Sequence, residues 1–157
     1  MKISGTPLWD PEMGSPFAIR HEPALIKKLP QVQSRASVIT GSVAAPFIDA
    51  VLFSCGATIP TVPVRKEIAC LITIDDLKDL DLRLLEQTVI IPGRAFVHNA
   101  EAHEVFNRDG IDREVIRGPD MLTADAETSM GMTKDQVLAM ELDGFAELIR
   151  MINMYGR

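Results

Sequence analysis

From residue 36 onward, short apolar runs alternate with longer segments in which apolar residues recur every three or four positions. Ala36–Thr40 and Thr88–Ile91 are too short for helices and too apolar for surface loops, so they predict buried strands. Glu67–Ile74 (EIACLITI) predicts a further strand buried on both faces, and Arg113–Ile116 another. Thr58–Val64, broken by Pro60 and Pro63, predicts a loop or an edge strand. Between these runs the period changes. Val43–Cys55 predicts a helix apolar nearly all round, closed by Gly56 and tolerating Pro46 in its first turn. Asp75–Glu86 carries Leu77, Leu80 and Leu84 at helical spacing, and Arg94–Arg108 predicts a helix ending near Gly110. Thr133-Lys-Asp-Gln136 is a capping-box pattern, and Leu138, Leu142, Phe145, Leu148, Ile149 and Ile152 after it form one apolar stripe of a long C-terminal helix.

Strands alternating with helices indicate a three-layer α/β fold with a mostly parallel sheet, Rossmann- or flavodoxin-like. Residues 1–30 differ. Pro7, Pro11, Pro16, Pro23 and Pro30 punctuate an irregular arm holding one short helix near Glu22–Leu29, with Pro23 at its first position. The 157 residues fit one domain, of which this arm is the extended part.

Composition narrows the functional classes. A formal charge of −6, spread along the chain, speaks against a nucleic-acid binder, which presents a basic face. No run of apolar residues is long enough to span a membrane, and the first residues lack the apolar core of a signal peptide. Cys55 and Cys70 sit in apolar surroundings without metal-site spacing. They read as small buried hydrophobes in a reducing cytoplasm rather than a disulfide or a nucleophile.

In an open parallel sheet, ligands bind beyond the carboxyl ends of the strands. Three predicted strand ends carry suitable residues: Thr40-Gly41-Ser42, Pro92-Gly93-Arg94, and Arg117-Gly118-Pro119-Asp120. The first opens a helix. There, unpaired N–H groups and the positive end of the dipole would suit a phosphate, and glycine would let it approach the backbone. Ser42 either adds its hydroxyl to such a cradle or caps the helix.

Thr40-Gly41-Ser42-Val43-Ala44-Ala45, directly after a short apolar strand, resembles the start of the homo-oligomeric flavin-containing cysteine decarboxylases. DGIDREVIRGPDM (residues 109–121), followed by Gly131-Met132, is similar to that family's run from a helix into a strand ending in Gly-Pro. The resemblance implies FMN held by its phosphate at Thr40, Gly41 and Ser42, with the chemistry supplied by the flavin; Gly93, Arg94, Arg117 and Asp120, at the other two strand ends, are the further contacts expected if those ends converge on one crevice. It also implies a homo-oligomer. The family's PASANT-like flavin-contacting segment has no counterpart, and PGRAFVHN stands where its P-x-M-N-x-x-M-W substrate signature would fall.

The remaining candidates are single residues. His98 and His103 lie five apart and so point roughly 140° away from each other on a helix, which excludes a two-histidine metal face. His98 shares an arc with Ala95, Ala102, Val105 and Phe106, as a buried histidine or a general acid–base. Glu141 lies within the stripe of the last helix, where a carboxylate needs a partner: a basic side chain, a ligand hydroxyl, or an arginine across an interface. Two functions follow from these features. One is a protein that binds a small phosphorylated ligand, FMN above all, with decarboxylase or redox activity. The other is a non-catalytic assembly subunit whose arm and C-terminal helix dock neighbouring chains.

Overall fold

The computed structural model describes residues 18–67, 71–120, 122 and 132–156. Four strands, β1 (Ser37–Thr40), β2 (Val62–Pro63), β3 (Thr88–Ile91) and β4 (Glu114–Arg117), form one sheet in the order β2-β1-β3-β4, every pair parallel. Among the described residues, five helices accompany them: α1 (Pro23–Ile26), α2 (Ala45–Ser54), α3 (Ile74–Lys78), α4 (Asn99–Phe106) and α5 (Lys134–Tyr155). The protein is therefore a three-layer α/β fold with a long C-terminal helix. Among the described residues, no helix is long and apolar enough to cross a membrane.

Side-chain alternation along the central strands divides the core. Val38 and Ile90 point to one face, where they join Ile48, Val51 and Leu52 of α2, and Phe145, Leu148 and Ile149 of α5. Ile39, Val89 and Ile91 point to the other, against Leu77 of α3 and Ala102, Val105 and Phe106 of α4. Every residue of β1 and β3 is buried, which is why both read as continuous apolar runs.

The third strand is not the EIACLITI segment. Thr73 is the N-cap of α3, its amide donating to Asp76 Oδ2 at 2.8 Å, so a capping interaction captures the end of that run for a helix. Ile68, Ala69 and Cys70, in its middle, lie outside the described residues. The sheet position goes instead to Val62–Pro63 on the edge, where a proline without an N–H costs no ladder bond. The predicted Asp75–Glu86 helix also breaks. Asp81 accepts the Arg83 amide and starts a separate 3-10 turn, Leu82–Leu84, leaving Leu84 67 % exposed. Two arginines take the carbonyls released by the break. Arg108 donates to Lys78 O and Leu80 O, and Arg113 to Leu82 O.

Pro23 does open α1, and Gly56 closes α2 at φ +94, in the left-handed region that glycine adopts without strain. Of the proline-punctuated arm, residues 1–17 lie outside the described residues. Its end forms a 3-10 turn, Ala18–His21, pressed under α5. Glu141 fastens it: the carboxylate is fully buried and its Oε1 accepts the Ile19 amide at 3.0 Å. Backbone, rather than a basic side chain or a ligand hydroxyl, answers this charge at that oxygen. Glu141→Ala removes the acceptor from a buried N–H and lowers stability by about 1–3 kcal/mol in urea unfolding. Glu141→Gln keeps an acceptor oxygen and loses less. Equal losses in the two variants would show that the Ile19 bond contributes nothing.

Candidate functional site

The strand order creates a switch point. The connection leaving β1 passes through α2 to β2 on one side, while that leaving β3 passes through α4 to β4 on the other. Between the carboxyl ends of β1 and β3 the two connections diverge, and a cleft of about 100 Å³ opens there. Its walls are apolar: Val38, Ala44, Ile48, Ile90 and Leu148, with Pro92 and Pro119 at the edge. Among the described residues, Thr40 and Asp120 are the polar side chains in the lining.

Thr40 is only 3 % exposed and ends β1 on the same face as Val38. Its carbonyl accepts the Val64 amide. Its hydroxyl has no hydrogen-bond partner among the described residues. On the lining of the cleft it keeps both its donor and its acceptor capacity for what enters there. Asp120 sits exposed on the rim.

The loop after Thr40 is committed elsewhere. The Ser42 amide donates to Lys66 O at 2.9 Å and the Val43 amide to Glu67 O at 3.4 Å. The helix begins later than its sequence suggests, with Ala44 as N-cap and no side-chain cap. Ser42 is exposed and does not cap α2.

Gly93 and Gly118 serve the packing of two loops against each other. A Cβ on Gly93 would lie 2.6 Å from Gly118 O, 2.8 Å from Pro119 O and 2.7 Å from Asp120 Oδ1. The Gly93 amide donates to Pro119 O and the Gly118 amide to Ile91 O. Arg117 holds the same junction from the α4 side of the sheet. Its Nε donates to Asn99 Oδ1 at 2.7 Å, Nη1 to Gly93 O and Ala95 O at 3.1 Å each, and Nη2 to Val97 O. Four of its five N–H groups are thereby used on its own chain. This grip keeps residues 92–98 out of the predicted helix, so α4 starts only at Asn99.

His98 consequently leaves the apolar arc on which a longer helix would put it. It is the N-cap residue of α4, exposed, and outside the cleft lining. Arg94 is exposed as well and does not line the cleft. Of the residues singled out in sequence, the fold brings Thr40 and Asp120 into one cleft, with Gly93 behind them as a spacer.

Arg113 escaped sequence reasoning as anything but a strand residue. It is 2 % exposed and binds Asp109 at 2.8 Å, Phe106 O at 2.8 Å and Leu82 O at 2.9 Å. The hydrogen bond from this guanidinium holds the Asp109 carboxyl below the usual carboxylate range. The signal was the i, i+4 spacing of Asp109 and Arg113 across a glycine turn; the role it marks is structural.

The cleft as arranged is small for FMN. Of the loop amides that its phosphate would meet, those of Ser42, Val43, Gly93 and Gly118 already have acceptors, while those of Gly41 and Ala44 have none among the described residues. A cavity of about 150 Å³ accommodates benzene, so about 100 Å³ holds roughly four heavy atoms rather than a three-ring isoalloxazine. Among the described residues, no group of three His, Cys, Asp or Glu is placed to hold a metal ion. Fold and cleft together define a parallel α/β protein with a small apolar crevice at its switch point. Neither a scan against models of known protein families nor a search of curated proteins finds a match to this chain.

Gly93→Ala forces the two loops apart and costs about 1–3 kcal/mol of stability by overpacking. Gly118→Ala, whose Cβ would meet Ile90 Cγ2 at 3.0 Å, costs less. Thermal unfolding of the two variants checks the order, and an unaffected Gly93→Ala protein would mean that the loops do not touch.

Proposed function

We propose that this chain is a small-molecule-binding α/β protein whose ligand occupies the cleft between the carboxyl ends of β1 and β3. The observation that carries the reading is Thr40, a residue 3 % exposed that lines the cleft and whose hydroxyl has no hydrogen-bond partner among the described residues. That hydroxyl can both donate and accept, and a molecule bound in the cleft would supply its partner. The apolar walls supply the remaining contact, and their position at the switch point is where open parallel sheets take ligands. Asp120 is the ionisable residue among the described residues of the lining and a group available for proton transfer or charge recognition.

This reading is preferred to an assembly subunit because the apolar stripe of α5 is already buried within the chain. Leu138, Phe145, Leu148, Ile149 and Ile152 share one cluster with Ile19, Ile48 and Val51, which leaves that stripe unavailable to a neighbour. The buried free thiol of Cys55, its pKa raised by desolvation, supports a reducing, cytoplasmic setting.

Thr40→Val is the discriminating variant. It replaces the hydroxyl by a methyl of similar shape, so the ligand-free protein keeps its stability to within about 1 kcal/mol while ligand binding weakens. Urea unfolding gives the first quantity and a small-molecule screen monitored by methyl and amide chemical shifts gives the second. Loss of stability in Thr40→Val would show that the hydroxyl serves the fold instead.

A further inference from the structure

Resting on that reading, the main-chain groups around the cleft define the chemistry of what enters it. Val38 and Ile90 line it with side chains, since both point into the layer that holds α2 and α5. Ile39 and Ile91 line it too, although their side chains belong to the cluster on the opposite face of the sheet. They therefore reach the cleft with main-chain atoms.

At Ile39 that main chain is unpaired. Thr40 O accepts the Val64 amide, so the Thr40 backbone turns to β2, and alternation turns the backbone groups of Ile39 and Gly41 to β3. The register there sets Ser37 beside Val89 and Val38 beside Ile90, and its continuation sets Pro92 where an amide would answer the Ile39 carbonyl. Proline has no N–H, so the ladder stops one bond early. Beyond it the Gly41 amide has no acceptor among the described residues, and neither has the amide of Ala44, a residue of the cleft lining. Free amides ahead of a helix would be ordinary by themselves. Here they adjoin an unpaired strand carbonyl and the Thr40 side chain, 97 % buried as a residue and without a hydrogen-bond partner among the described residues.

We infer that the cleft takes a small primary carboxamide. The free groups are of both kinds: amide donors at Gly41 and Ala44, a carbonyl acceptor at Ile39, and the Thr40 hydroxyl, which does either. A carboxamide brings a carbonyl for the donors and an NH₂ for the acceptors in one uncharged group. Its alkyl end suits the apolar walls of Ile48, Ile90 and Leu148, and a cleft of about 100 Å³ has room for roughly four heavy atoms, the size of acetamide. A carboxylate only accepts and would set its charge against the Ile39 carbonyl. An ammonium only donates and would leave both amides unanswered. Each ion would also give up its hydration in an apolar slot, so a mixed donor and acceptor set selects the neutral group.

The test is a titration of the full chain at neutral pH with acetamide, acetone, acetate and n-propylamine, all of one size, and with inorganic phosphate. Binding is read from the Val38 and Ile48 methyl shifts and the Gly41 and Ala44 amide protons. Acetamide binds roughly fivefold to tenfold more tightly than acetone, which keeps the carbonyl and lacks the N–H donors, as one further hydrogen bond allows. Both move the Gly41 and Ala44 amide protons downfield. Acetate, n-propylamine and phosphate bind no more tightly than acetone. Equal binding of acetamide and acetone overturns the carboxamide assignment and leaves the cleft a ligand site. Tighter binding of acetate, phosphate or n-propylamine than of acetamide overturns it as well, because one sign of charge would then decide the site. If no probe moves the cleft signals, the ligand-site reading fails together with the inference.

Discussion

The contact between the loops leaving β3 and β4 is the constraint on which the rest of the site depends. Gly93 comes so close to Gly118 O and Pro119 O that no side chain fits between them. That approach brings Asp120 to the rim of the cleft and seats Pro92 and Pro119 along one edge. It also puts the carbonyls of Gly93, Ala95 and Val97 within reach of Arg117 across the sheet. One arginine thus replaces the backbone bonds that a longer α4 would have made. The loop it grips carries Phe96, 81 % exposed, outward while Ala95 packs inward. A rim built this way is held by backbone geometry rather than by side-chain rotamers, so little ordering is left for a ligand to impose.

The opposite wall depends on a buried charge. α5 contributes Leu148 to the cleft and lies across the 3-10 turn of the arm, where Glu141 accepts the Ile19 amide. A buried carboxylate is costly unless its lone pairs are used, and its use here ties a chain segment more than a hundred residues away in sequence to the long helix. The Asn153 side chain repeats the device further along, accepting from the Gln33 amide and donating to Gln31 O. Polar side chains on α5 therefore place the N-terminal segment by specific hydrogen bonds, while the apolar stripe supplies most of the burial.

What was legible in sequence was what local rules decide. Thr88–Ile91 is bounded by Gln87 and Pro92 and matches β3 at both ends. The Thr133–Gln136 box opens α5, Pro23 opens α1, and the two prolines of 58–64 point to an edge strand. What was not legible rests on partners distant in sequence. EIACLITI has the composition of a buried strand, yet Thr73 and Asp76 turn its end into a helix start. The helix expected from Arg94 is shortened because Arg117 takes its would-be carbonyls. The site divided in the same way. The position of a crevice beyond Thr40 followed from strand alternation, but the spending of the loop's amides on Lys66 and Glu67 did not. Nor did the orphan hydroxyl of Thr40, which no motif signals.

That last difference bears on how strand–glycine–helix turns are read in general. A helix N-terminus attracts anions because its first amides lack acceptors; the dipole alone is a weak, screened contribution. In this protein the segment after β2 supplies acceptors to the turn, so the Ser42 and Val43 amides ahead of α2 are paired within their own chain before any ligand arrives, while those of Gly41 and Ala44 are not. The same backbone path that would hold a phosphate with all its amides free becomes a weaker anion site as they are paired. How much a turn of this kind offers an anion is thus set by which strand neighbours it and how that strand ends.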